Sequence, residues 1–227
     1  MNAEGPWILV VDDSATSRLV IEKQLRKFGC RVTGAENGAA ALAAIRAQRY
    51  GIVLLDCYMP DMNGYQVAQL VRDAEEADPG AGYTPLIGIS AEADAAHVQL
   101  CLDSGMDGIL GKPLPLEEFK KMLTLWCDYD VDSTPASAPV DIASVDLEAL
   151  FRSTSLQDLE ALRAAHAAAD VDAVQQLAHR MKGAALTMNR MEIVATLEGI
   201  EDAARGDAAG FASIGMLIRE LEAALRA

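Results

Sequence analysis

Asp12, Asp13 and Asp56 each stand where a run of apolar residues ends: ILVV at 8–11 precedes the first two, IVLL at 52–55 the third. Ser90 closes LIGIS at 86–90, and Lys112 follows GIL at 108–110. Short continuous apolar runs of this kind read as parallel strands buried on both faces. In an open parallel sheet the carboxyl ends of the strands share one edge, where ligands bind. Three carboxylates gathered there repel one another and need a cation, and an oxygen donor set favours a hard ion, Mg²⁺ or Mn²⁺. Ser90 adds a hydroxyl and Lys112 an ammonium. Transfer of a phosphoryl group needs these parts: charges to neutralise its equatorial oxygens, a hydroxyl to bond one of them, and a nucleophile in line. A carboxylate can be that nucleophile, forming an acyl phosphate. Singly, each residue has a plainer reading, Asp12-Asp13 as a strand-end turn capping a helix and Lys112 as a solvated surface residue. Their coincidence at four successive strand ends favours the chemical one.

A second candidate lies in AHRMKGAALTMN, residues 178–189. At about 100° per residue, Val171, Val174, Ala178, Met181, Ala185 and Met188 form one apolar stripe. His179 falls roughly 130° from its centre and is expected to face solvent, with Gly183 one turn further on the same face. Glycine inside a helix costs about 1 kcal/mol relative to alanine; clearance for another protein approaching His179 is a reason to tolerate it. Lys182 can place a positive charge beside a phosphoryl group on the imidazole. His97 and His166 read as ordinary surface residues.

The elements that must position these groups follow from periodicity and breakers. Strands at 8–11, 31–35, 52–55, 86–90 and 108–110 alternate with helices at 14–28, 39–48, 64–76, 94–103 and 116–126, Gly29 capping the first helix. This predicts an α/β doubly wound five-stranded parallel sheet over residues 1–127. Residues 128–144, DYDVDSTPASAPVDIAS, have linker composition. Residues 145–227 show only helix patterns, about 146–152, 155–168, 170–188, 190–204 and 207–226, with Asp170 and Asp207 as N-caps and Asn189 as a left-handed turn. Short connections predict an all-α helical bundle.

The 227 residues carry a formal charge of −15, divided as −6, −4 and −5 among the three segments. No basic arm hides in that total, which argues against nucleic acid and anionic membranes as partners. Cys30, Cys57, Cys101 and Cys127 contain no C-x-x-C pair and suggest reduced thiols. With no signal-peptide pattern and no long apolar run, a cytoplasmic location is expected.

VVDDS, LLDCYMPDMNG, GISA and the G-x-K-P around Lys112 resemble the receiver domain of two-component response regulators over essentially all of 7–127. The resemblance implies that Asp56 accepts the phosphoryl group and that Asp12, Asp13 and Asp56 hold the metal with the Tyr58 backbone carbonyl. It further implies that Ser90 and Lys112 contact the phosphoryl group and that the peptide before Pro113 is cis. Receivers that switch an output domain usually carry an aromatic three residues before the lysine, where this chain has Ile109. That departure favours a receiver whose product is the phosphoryl group itself. The H-x-x-K-G sequence on a long helix is similar to histidine-containing phosphotransfer (HPt) domains, over about 146–227. There His179 would be phosphorylated, with Lys182 and Gly183 in support.

The pair resembles the C-terminal tail of hybrid sensor histidine kinases. It implies a phosphorelay in which Asp56 takes phosphate from a sensor histidine kinase and exchanges it with His179, which serves a downstream response regulator. The sequence has no Gly-rich nucleotide box, so phosphohistidine would not be made from ATP within it. A phosphate-sink or interaction module is the alternative. A magnesium-dependent aspartyl-phosphate hydrolase of the haloacid dehalogenase type would need a second acid two residues after the nucleophile, where Tyr58 stands.

Overall fold

The computed structural model describes residues 5–78, 80, 82–92, 94–131 and 146–226. The chain divides into two compact units, Met1–Ser144 and Val145–Ala227.

In the first unit β1 (Trp7–Val11), β2 (Arg31–Ala35), β3 (Ile52–Asp56), β4 (Leu86–Ser90) and β5 (Gly108–Gly111) alternate with α1 (Ala15–Lys27), α2 (Gly38–Ala47), α3 (Gly64–Ala77), α4 (Ala95–Asp103) and α5 (Leu116–Cys127). All strand pairs are parallel in the order β2-β1-β3-β4-β5. Every side chain of β3 and β4 is buried, because helices cover both sheet faces and an alternating polar pattern has no place there. Val53, Leu55 and Val67 pack on one face; Ile8, Leu54 and Phe119 pack on the other. The parallel register fixes the functional edge: Val11 pairs with Leu55, Asp56 with Ile89 and Ser90 with Gly111. The residues after each strand therefore emerge side by side.

Local sequence starts the helices near that edge. Ser14 caps α1, its hydroxyl accepting from the Ser17 amide at 3.3 Å. Asn63 and Gln66 form a reciprocal capping box at the start of α3. Gly64 follows because a Cβ there would stand 2.3 Å from the Asp56 carbonyl. The chain beyond α5 stays with the sheet for a few residues. The Tyr129 hydroxyl donates to the Phe28 carbonyl at 3.0 Å, and Tyr129 and Val131 pack on the core, so the composition shift at Asp128 precedes the end of packing. The rest of the expected linker, from residue 132, lies outside the described residues.

The second unit is a four-helix bundle of α6 (Leu147–Ala167), α7 (Val171–Thr187), α8 (Met191–Arg205) and α9 (Ala208–Arg226). The sequence reading broke α6 near Ser153-Thr154, and this is corrected: the helix is continuous. Both hydroxyls bond back to the Leu150 carbonyl, at 3.0 and 2.9 Å, and so are accommodated inside the helix. Asp170 caps α7 through the Ala173 amide, and the Asp207 carboxylate accepts from the Ala209 and Gly210 amides. Asn189 turns the chain with φ 57°, and Ala169 does the same at 56° without the usual residue type for it. No helix among the described residues is long and apolar enough to cross a membrane.

Candidate functional site

The carboxyl edge of the sheet gathers the predicted acids. Ligand oxygens of Asp12, Asp13 and Asp56 all lie within 4.8 Å of one another. Lys112 reaches in from the end of β5, its Nζ donating to Asp12 Oδ2 at 2.8 Å and to Asp56 Oδ2 at 2.7 Å. The other carboxylate oxygens are held by backbone: Asp12 Oδ1 accepts from the Ser14 amide at 2.8 Å and Asp56 Oδ1 from the Tyr58 amide at 3.2 Å. Ser90 is fully buried beside Lys112, whose amide donates to the Ser90 carbonyl at 2.7 Å. The Lys112–Pro113 peptide is cis.

The electrostatics follow from burial. Burial pushes the Asp12 carboxyl up, Lys112 pulls it down and Asp56 raises it again, to a net pKa of about 6. Burial lowers the Lys112 ammonium, but the attraction of Asp12 and then Asp56 outweighs it and the net shift is upward. Three carboxylates against one ammonium leave negative charge in excess, and the donors are all oxygens, so the residues fit a hard divalent cation. Arg18 was missed in the sequence; its guanidinium donates to the Asp12 backbone carbonyl at 2.6 Å, one turn into α1.

Tyr58 is placed directly after the pocket, and its hydroxyl meets His97 Nε2 at 2.8 Å. His97 Nδ1 in turn lies 2.9 Å from Asp94 Oδ1. His97 is thus a bonded residue of the pocket's flank, not the plain surface residue expected. His166 likewise bonds the Phe211 carbonyl at 3.1 Å and packs on the Phe211 ring.

In the bundle, His179 Nδ1 lies 3.1 Å from Glu201 Oε1 on α8. Lys182, three residues on, donates from Nζ to the other oxygen of the same carboxylate, Glu201 Oε2, at 2.5 Å. Gly183 follows Lys182 in α7, one turn beyond His179. Burial raises the Glu201 carboxyl, but hydrogen bonds from His179 and Lys182 more than offset it, and the net shift is downward. An ionised carboxylate only accepts, so the proton sits on His179 Nδ1, and in the neutral ring the lone pair is on Nε2. Glu201 had a signal in the sequence: it is an acid one turn after Leu197, on the apolar face of α8.

Residues 8–124 match the response regulator receiver domain family, and residues 146–227 match the Hpt domain family. The virulence sensor protein BvgS of Bordetella pertussis is 31% identical over 243 aligned residues, covering 95% of this chain and 20% of that protein. The sensor histidine kinase GacS of Pseudomonas protegens is 29% identical over 209 residues, covering 81% of this chain and 23% of that protein. The chain thus spans about a fifth of the length of these curated relatives. Among solved structures, a Saccharomyces cerevisiae co-crystal of the histidine phosphotransfer protein Ypd1 and the receiver domain of Ssk1 matches with TM-score 0.51 at 22% identity. That match covers 57% of this chain and 98% of the matched chain, and shows likeness of fold.

Proposed function

We propose specific roles in a phosphorelay for this chain, which belongs to the response regulator receiver family and continues into an Hpt domain. Asp56 is the phosphoacceptor, taking the group from the phosphohistidine of a sensor histidine kinase. The observation that carries this reading is Lys112 Nζ bridging Asp12 and Asp56 at 2.8 and 2.7 Å on the edge where the strand ends converge. Asp12, Asp13 and Asp56, with the Tyr58 carbonyl, would hold Mg²⁺ or Mn²⁺, which neutralises phosphoryl oxygens when bound. An Asp56 oxygen attacks phosphorus, the P–N bond of the donor breaks, and its electron pair stays on the donor imidazole. Lys112 and the Ser90 hydroxyl bind the oxygens that carry charge during the transfer.

His179 exchanges this group with Asp56. Its Nε2 lone pair attacks the acyl phosphate, the P–O bond breaks, and the pair returns to the Asp56 carboxylate. Glu201 keeps the proton on Nδ1 and stabilises the positive charge that develops on the ring. Lys182 holds Glu201 in place, and Gly183, one turn beyond His179, leaves clearance for the approaching receiver. His179 then serves the receiver of a downstream response regulator.

Incubating the purified chain with labelled acetyl phosphate tests the reading. Label should appear only with Mg²⁺ or Mn²⁺, be acid-stable and hydroxylamine-sensitive on Asp56, and be acid-labile on His179. Asp56→Asn should remove both signals, and His179→Gln only the second. Undiminished labelling of Asp56→Asn would overturn the assignment.

A further inference from the structure

We propose that Cys57 and Cys101 form an oxidisable dithiol that a hydroperoxide closes to a disulfide, so that oxidant acts on the acidic pocket. Cys57 follows Asp56 directly, and Cys101 comes from α4. Both side chains are fully buried, and their Sγ atoms are 3.7 Å apart. Gly88 on β4 makes the room: a Cβ there would lie 3.2 Å from each of the two sulfurs. Closing such a gap to a bonded S–S distance of about 2.05 Å takes side-chain rotation together with a shift of Cys57 towards α4.

The Tyr65 hydroxyl is an independent pointer. It is buried without a hydrogen-bond partner, and after burial itself its strongest electrostatic neighbour is Cys57. Buried donors are ordinarily satisfied, and the polar groups that act on this one are the Cys57 thiol and the Tyr58 hydroxyl. A sulfenic oxygen on Cys57 gives it an acceptor.

Access comes through α4. Cys101 is the one buried residue of that helix, so α4 is anchored by little apolar area and opens at low free-energy cost. Closed, the pair is shielded; opened, one thiolate attacks the distal oxygen of the hydroperoxide. The O–O bond breaks, a sulfenic acid forms, and the alkoxide leaves as an alcohol with that thiol's proton. The second sulfur then attacks the sulfenic sulfur, the S–O bond breaks, and water departs with the second proton. Two thiols and one hydroperoxide thus give a disulfide, an alcohol and water. Closing the bond draws Cys57 towards α4 and displaces the adjoining Asp56 and Tyr58. A shift of about 1 Å at reacting groups can cost on the order of a hundredfold in rate. This second half rests on the reading of Asp56 as phosphoacceptor. Cys30 and Cys127 pack on the opposite sheet face and serve as internal controls.

The test treats the full chain with hydrogen peroxide, alkylates the remaining thiols and maps peptides without reduction. A Cys57–Cys101 cross-link is expected, lost in Cys101→Ala and formed severalfold more slowly in Tyr65→Phe. Acetyl phosphate labelling of the oxidised chain should fall by on the order of tenfold or more and recover with dithiothreitol, whereas Cys101→Ala should label alike with and without peroxide. Should that variant not fold, cross-linking and recovery in the unaltered chain decide the matter. Cys57 and Cys101 remaining alkylatable while Cys30 or Cys127 reacts would overturn the dithiol. A cross-link with unchanged labelling would overturn its coupling to the pocket. A cross-link in a chain whose reduced form takes no label would sink the Asp56 reading and leave the dithiol standing.

Discussion

A carboxylate enclosed among apolar side chains is unfavourable unless donors meet it, and Glu201 meets two, His179 and the buried ammonium of Lys182. Glu201→Gln removes the charge that balances Lys182 and should destabilise the bundle by about 2–3 kcal/mol in urea unfolding. Glu201→Gln with Lys182→Met should recover much of that loss, because no buried charge is then left uncompensated. The pH dependence has a definite sign. Burial raises the Glu201 carboxyl, its two donors more than offset that rise, and the folded value ends below the ordinary 4.5. Its stabilisation is therefore complete above that value and lost as pH falls through the folded one. Between pH 5 and 3 the unaltered bundle should lose more stability than Glu201→Gln; equal losses would remove the ion pair from the account. The residues at the sheet edge were legible in the sequence, since Asp12, Asp56, Ser90 and Lys112 each announce themselves at the end of an apolar run. Glu201 was harder, because its bonds to His179 and Lys182 are a contact between two helices that no single-helix pattern shows.

Helix boundaries follow from side chains that satisfy backbone amides locally. Asp170 accepts from the Ala173 amide where α7 begins, and the geometry of His179 depends on that helix. Asp170→Ala should lower stability by about 1 kcal/mol, while Asp170→Asn should change it little, as read from the urea midpoint at a common slope. Such caps are visible in sequence as an acid before an apolar periodicity. The continuity of α6 was not visible, because Ser153 and Thr154 are equally suited to a turn and to bonding back along a helix; packing decided it. Residues such as Phe151, Leu159 and Leu162, all buried, span the site of the expected break and favour one uninterrupted stripe.

Two compact units on one chain pose the question of whether phosphate passes within it. Modules held on one chain can meet at effective concentrations on the order of millimolar. Transfer between Asp56 and His179 should then be first order and unaffected by dilution. Asp56→Asn chains mixed with His179→Gln chains should exchange phosphate slowly and in proportion to concentration; equal rates at micromolar concentration would mean the tether has no kinetic role. The separation of the pocket's parts along the chain has one more consequence. Lys112 meets Asp56 across 56 residues and Asp12 across 100. Translation delivers the acids first and their counter-charge last. The ammonium that bridges Asp12 and Asp56 therefore joins the sheet edge only when β5, the outermost strand, takes its place beside β4.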